Sequence, residues 1–140
     1  MTDINHEIKI KAIPESVFAA LTKADGLKGW YSAHVEGDGM PGHAWRFRFT
    51  DRPTFLWEVT ESTAPTRVVW RCVEGPGDSV GTDVTVQLSQ PEPDSTLVEL
   101  AHTGWPGTHG NYRKCNTHWG VLLHHLKEYV ETGVASPAFA

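Results

Sequence analysis

Between residues 34 and 104 the sequence alternates apolar and polar residues in short runs, and the runs are too closely spaced for helical crossovers between them. "HAWRFRFT" puts Trp45, Phe47 and Phe49 on one face and Arg46 and Arg48 on the other. "TFLWEVTES" does the same with Phe55, Trp57 and Val59 against Glu58, and "TRVVWRCVE" with Val68, Trp70 and Cys72 against Arg71. "GTDVTVQLS" carries Val84, Val86 and Leu88, and "STLVELAHTG" carries Val98, Leu100 and His102. A period of two means one face of each run is buried. The clusters "GDGMPG", "TDRP", "TAP", "EGPGDS" and "PEPD" supply the turns. Connections this short permit antiparallel hairpins and exclude a parallel sheet.

The flanks supply the cover. "DINHEIKIKA" alternates as a further strand, with Ile4, His6, Ile8 and Ile10 on one side. "IPESVFAAL" reads as a short helix with Pro14 at its first position, and "KADGLKGWY" as a second short helix or turn broken by Gly26 and Gly29. In "NYRKCNTHWGVLLHHLKEYVETG", Tyr112, Cys115, Trp119, Leu122, Leu123, Leu126 and Val130 fall on one helical face. Gly133 is a natural stop, followed shortly by Pro137. The expected order is strand, two short helices, about six antiparallel strands and a long helix over residues 109–132. One domain is expected over residues 1–134, with 135–140 a loose tail. A sheet with one apolar face must bury it, and the long helix is the element large enough to do so.

Composition narrows the function. A formal net charge of -5 with scattered Lys and Arg excludes the basic stripe a nucleic-acid partner requires. No run approaches the ~18 apolar residues of a membrane span, and the N-terminal stretch lacks the pattern of a signal peptide. Cys72 and Cys115 lie far apart, which fits a reduced, cytoplasmic setting. The 6 Trp are the anomaly, because a buried indole N–H needs a partner and so many are hard to pack into a dry core of this size.

Three stretches carry a resemblance: "IKAIPESVFAALTKADGLKGWY", "LAHTGWP" and "NTHWGVLLHHLKEYVETG". Their order and spacing are similar to those of the START-like, birch-pollen-allergen-like (SRPBCC) superfamily. Within it they most resemble the family of activators of the ninety-kilodalton heat-shock protein ATPase. Two positions depart from the family pattern: Ile13, where a small or polar residue is common, and Tyr31, where a second Trp often follows Trp30. The resemblance implies an α+β helix-grip fold, a curved antiparallel sheet wrapped round a long C-terminal helix with a cavity between them. It implies no single activity, since relatives include ligand carriers, cyclases and co-chaperones.

Candidate sites are weighed on their chemistry. Gly37, Gly39 and Gly42 match G-x-G-x-x-G, but a strand follows instead of a helix, so the match is a turn. His102, His109, Cys115 and His118 crowd together without a standard zinc spacing, so no metal and no cofactor are expected. His102 shares the inward phase of Val98 and Leu100. It is the one catalytic candidate, as a general base, against the plainer reading of a histidine bonded to Tyr112, Trp119 or the backbone. The aromatics describe a small-molecule pocket of apolar walls with a few polar tips. Its expected lining is Trp30, Tyr31, Trp45, Phe47, Trp57, Trp70, His102, Trp105, Tyr112, Cys115 and Trp119. The expected function is binding of a small hydrophobic or aromatic ligand, by a monomer or homodimer. A module acting on a heat-shock chaperone is the alternative, and a weak cyclase- or hydrolase-like enzyme using His102 is a third reading.

Overall fold

A computed structural model describes residues 2–139. Strand β1 (Thr2–Ile10) leads into helices α1 (Pro14–Thr22) and α2 (Ala24–Trp30). A meander follows: β2 (His34–Glu36), β3 (Ala44–Arg48), β4 (Phe55–Thr63), β5 (Arg67–Glu74), β6 (Asp83–Glu92) and β7 (Ser95–Trp105). Helix α3 (Asn111–Thr132) comes last. The strands form one seven-stranded sheet in the order β1-β7-β6-β5-β4-β3-β2, and every pairing is antiparallel. This is the α+β helix-grip architecture.

Register follows the alternation. Ile4 faces His102, His102 faces Val84, Val84 faces Trp70 and Trp70 faces Val59, so one row of buried side chains crosses the sheet. Trp57 pairs with Trp45 on one side and Cys72 on the other. Register shifts around Trp57 and Val59 interrupt the β4–β5 ladder, as bulges do where a sheet bends. Helix α3 lies across this face and buries Trp119, Leu122, Leu123 and Leu126. Each such leucine contributes about 1.5–3 kcal/mol through area removed from water. Gly133 closes the helix in the left-handed conformation, its N–H returning to the Tyr129 carbonyl.

Three details differ from the sequence reading. Gly26 and Gly29 lie inside α2 and do not break it; a Cβ at Gly26 would meet the Ala20 backbone and one at Gly29 the Tyr129 ring. They let α1 and α3 approach closely. Phe49 lies just past β3 and is half-buried. In the described part of the segment after α3, the N–H groups of Ser136, Ala138 and Phe139 donate to the carbonyls of Gly29, Trp30 and Tyr31 at 3.0, 3.0 and 3.1 Å. The Ala33 N–H donates to the Phe139 carbonyl at 3.1 Å, and the His125 ring donates to the Ser136 carbonyl at 2.6 Å. A segment without periodicity takes its order from backbone bonds to α2, which side-chain patterning does not record. No described helix is long and apolar enough to cross a membrane.

Candidate functional site: an aromatic interior with one opening

His102 occupies the middle of the concave face with no solvent exposure. The Trp119 indole N–H donates to its Nδ1 at 3.0 Å, so Nδ1 is unprotonated and Nε2 carries the hydrogen. Nε2 is 2.7 Å from the Thr82 hydroxyl, which itself donates to the Ser79 carbonyl at 2.6 Å. The order is therefore Trp119 to His102 to Thr82 to Ser79, with both ring nitrogens committed. Burial drives the His102 pKa down to about 3, against the weaker pull of Asp83. At neutral pH the ring is a neutral bracket joining helix to sheet. Neither nitrogen is free to take a proton from a substrate.

The expected pocket residues divide. Trp30 is tied to the Ala20 carbonyl through its indole at 2.9 Å. Trp45 is wrapped by the glycine turn, where Gly37 (φ 146°) and Gly39 (φ 75°) run against its ring with no room for a Cβ. Phe47 sits between Tyr31 and Trp70, with ring centroids 4.3 and 6.3 Å away. Trp105 packs on His102 and meets the edge of Tyr112. The Tyr112 hydroxyl turns outward to the Asp3 carbonyl at 3.3 Å and is no polar tip of an interior space. Trp30, Trp45, Phe47, Trp70, Trp105 and Tyr112 are thus core or rim. Tyr31, Trp57, His102, Cys115 and Trp119 do converge, around a space of about 30 Å³. That volume holds about one water, so the large cavity implied by the resemblance is closed in this conformation.

Burial raises the Tyr31 phenol well above its ordinary range; nearby Cys115 and Cys72 add to this, while the Trp57 indole and Arg52 oppose it. The Trp57 indole, in a residue 1% exposed, faces the Tyr31 phenol without a hydrogen bond of full geometry, and the buried Trp45 and Trp105 indoles likewise make none. Burial also pushes the Cys115 and Cys72 thiols up to about 12, so neither is a nucleophile near neutral pH. Among the described residues no three His, Cys, Asp or Glu side chains converge as a metal site would require.

Residues outside the expected lining close the space: Phe49, Arg52, Phe55, His118, Leu122 and Phe139. Phe139 arrives on the tail. Its ring lies edge-on to Phe49 and His118 at 5.4 and 5.3 Å and 6.3 Å from Tyr31. The Arg52 guanidinium sits 4.6 Å over it, a cation on an aromatic face. Arg52 also reaches the His118 Nε2 at 3.4 Å, and burial, Arg52 and Lys114 together lower the His118 pKa. Outside lies a groove of about 520 Å³ between the β3–β4 turn, Pro76 and the first turns of α3. Groove and inner space share Arg52, Phe55, Cys115 and His118 as their common wall. Arg52 was legible only as part of a turn, and Phe139 only as one aromatic residue beyond a helix stop.

Fold and sequence agree on the class. The chain belongs to the family described as Activator of Hsp90 ATPase homolog 1-like protein, which it matches over residues 11–131. It is similar to the Aha1 dimer from Colwellia psychrerythraea, solved in solution, at 36% identity and a TM-score of 0.87 over 95% of this chain and 98% of that one. It shares its fold with CalU16 from Micromonospora echinospora, at 20% identity and a TM-score of 0.76 over 96% of this chain and 76% of that one. DynU16, a protein of the dynemicin biosynthetic locus, has the same fold at 21% identity and a TM-score of 0.78, over 95% of this chain and 48% of that one. Among curated proteins none matches the sequence.

Proposed function

We propose that this protein binds a small hydrophobic or aromatic molecule at the opening between the β3–β4 turn, α3 and the tail. One observation carries the reading. On the side of the β3–β4 turn the inner space is closed in part by a ring that belongs to no sheet strand and to none of the helices, namely Phe139, seated among Phe49, His118 and Tyr31. Behind that ring stand Trp57 and Trp119, and across the shared wall of Arg52, Phe55, Cys115 and His118 lies a groove of the volume small-molecule sites usually have. The ligand site is therefore narrower than the aromatic composition suggests: Tyr31, Trp57, Cys115 and Trp119 line it, with Phe49, Arg52, Phe55 and His118 at its mouth. His102 serves as a wall and not as a base, which argues against the enzymatic reading. Native mass spectrometry of freshly purified protein, with tryptophan fluorescence titrations against aromatic and acyl compounds, tests this. A retained small-molecule adduct or a saturable response is expected, and the absence of both across a broad panel would contradict it.

The family's description favours one further reading, a module that stimulates a heat-shock ATPase. A steady-state ATPase assay of the ninety-kilodalton chaperone, with and without this protein, decides it. Because the similar Colwellia protein is a dimer, a cytoplasmic homodimer is the assembly we propose, to be read by light scattering coupled to size exclusion.

A further inference from the structure

The residues around Phe139 describe a ligand more specific than an apolar molecule. A ring is held there by aromatic edges, with a guanidinium 4.6 Å above its centroid. Arg52 and His118 touch both the ring and the groove, and Lys114 lines the groove beyond them. Both cations act on His118 at the groove wall, with Asp51 3.7 Å from Arg52 and Asp78 acting on the neighbouring Cys115. Asp51 is 84% exposed, and a pair so open to water neutralises Arg52 poorly. Resting on the binding function proposed above, we infer that the site recognises an aromatic carboxylate, and that Phe139 is its internal occupant, which the ligand must displace.

The chemistry of each part fits. An aromatic ring replaces the Phe139 ring between Phe49 and His118. A carboxylate attached to it falls on the Arg52 side, where a planar guanidinium can donate to both of its oxygens at once. The tail can leave without disturbing the core, because it is held by four backbone bonds to residues 29–33, the His125 contact and one half-buried ring. A site that is closed most of the time shows an affinity reduced by the closed fraction, and a pocket opened only by its ligand is the same equilibrium seen structurally.

The test uses 2-naphthoate and its neutral analogue 2-naphthamide, titrated by tryptophan fluorescence into the full-length protein and its Phe139→Ala and Arg52→Gln variants. Removing the plug should tighten 2-naphthoate about tenfold, the factor expected if the tail is closed roughly nine-tenths of the time. Arg52→Gln should erase the preference for naphthoate over naphthamide. In the wild type, hydrogen exchange should show the amides of Ala33, Ala138 and Phe139 losing protection as naphthoate saturates. Ala138→Pro, which deletes the bond to the Trp30 carbonyl, should reproduce Phe139→Ala while leaving the ring in place. Equal affinity in wild type and both tail variants would overturn the plug while leaving the binding function standing. Equal affinity for acid and amide would overturn the anionic class. Binding of neither probe to any variant would sink the binding function itself and this inference with it.

Discussion

The aromatic interior is closed differently at its two sides. Towards β1, Trp105 is held by the sheet. His102 has Trp105 against its ring and bonds Thr82 and Trp119, so the rings there are tied to sheet and helix by hydrogen bonds and packing. Towards the β3–β4 turn, closure comes from side chains of the turn and α3 together with one ring from the tail and the arginine over it. The same composition thus serves as fixed core on one side and as a movable seal on the other. Counting tryptophans could not have separated the two.

The comparison can be broken in several ways. The largest expected effect is at the fixed side. Trp119→Ala or Trp105→Ala should cost about 3–5 kcal/mol of stability, read as a fall in urea midpoint with a near-normal m-value. Next come the thiols beside the opening. With pKa values of about 12, Cys72 and Cys115 should react with a disulfide reagent at pH 8 on the order of a thousand-fold more slowly than in the unfolded chain. A Cys115 that reacts at the free-thiol rate would mean the opening is already wet.

Acid provides the third test. The unfolded chain protonates His102 near its ordinary value of 6.5, whereas the folded ring resists until about 3. Stability is therefore complete above pH 6.5 and falls as pH drops, by about 1.4 kcal/mol per pH unit until the folded pKa is reached. The lowered His118 pKa acts in the same direction. His102→Gln should flatten this slope while keeping a polar partner for Trp119, and an unchanged slope would show that the acid sensitivity lies elsewhere. The smallest effect belongs to the seal. Phe139→Ala should cost about 1 kcal/mol or less, because its ring is only half-buried. A loss comparable to that of Trp105→Ala would make the tail part of the core.

What the sequence made legible follows the same division. Period-two alternation placed Trp45, Trp57, Trp70 and His102 on the inner face, because a strand in a half-buried sheet has no other arrangement. Helical spacing likewise placed Trp119 against them. Alternation says which face a side chain takes but not how much space remains between facing layers, so it could not show that Trp30, Trp45, Trp70 and Trp105 pack solid. It is also silent outside periodic segments. Arg52 sits in a turn and Phe139 in the tail, and both act through contacts between residues 87 apart in sequence. Gly26 and Gly29 looked like helix breakers because their packing partners, Ala20 and Tyr129, become visible only in three dimensions.

The most direct measurement is a two-dimensional ¹H–¹⁵N spectrum that follows the six indole N–H resonances, together with the Arg52 Nε and Phe139 amide, during titration with 2-naphthoate. The Trp57 and Trp119 indoles, Arg52 and Phe139 should shift saturably, while the Trp30 and Trp45 indoles stay in place. Shifts centred on Trp30 or Trp45 with Phe139 unmoved, or no saturable shift at all, would contradict an interior that is fixed on one side and opens on the other.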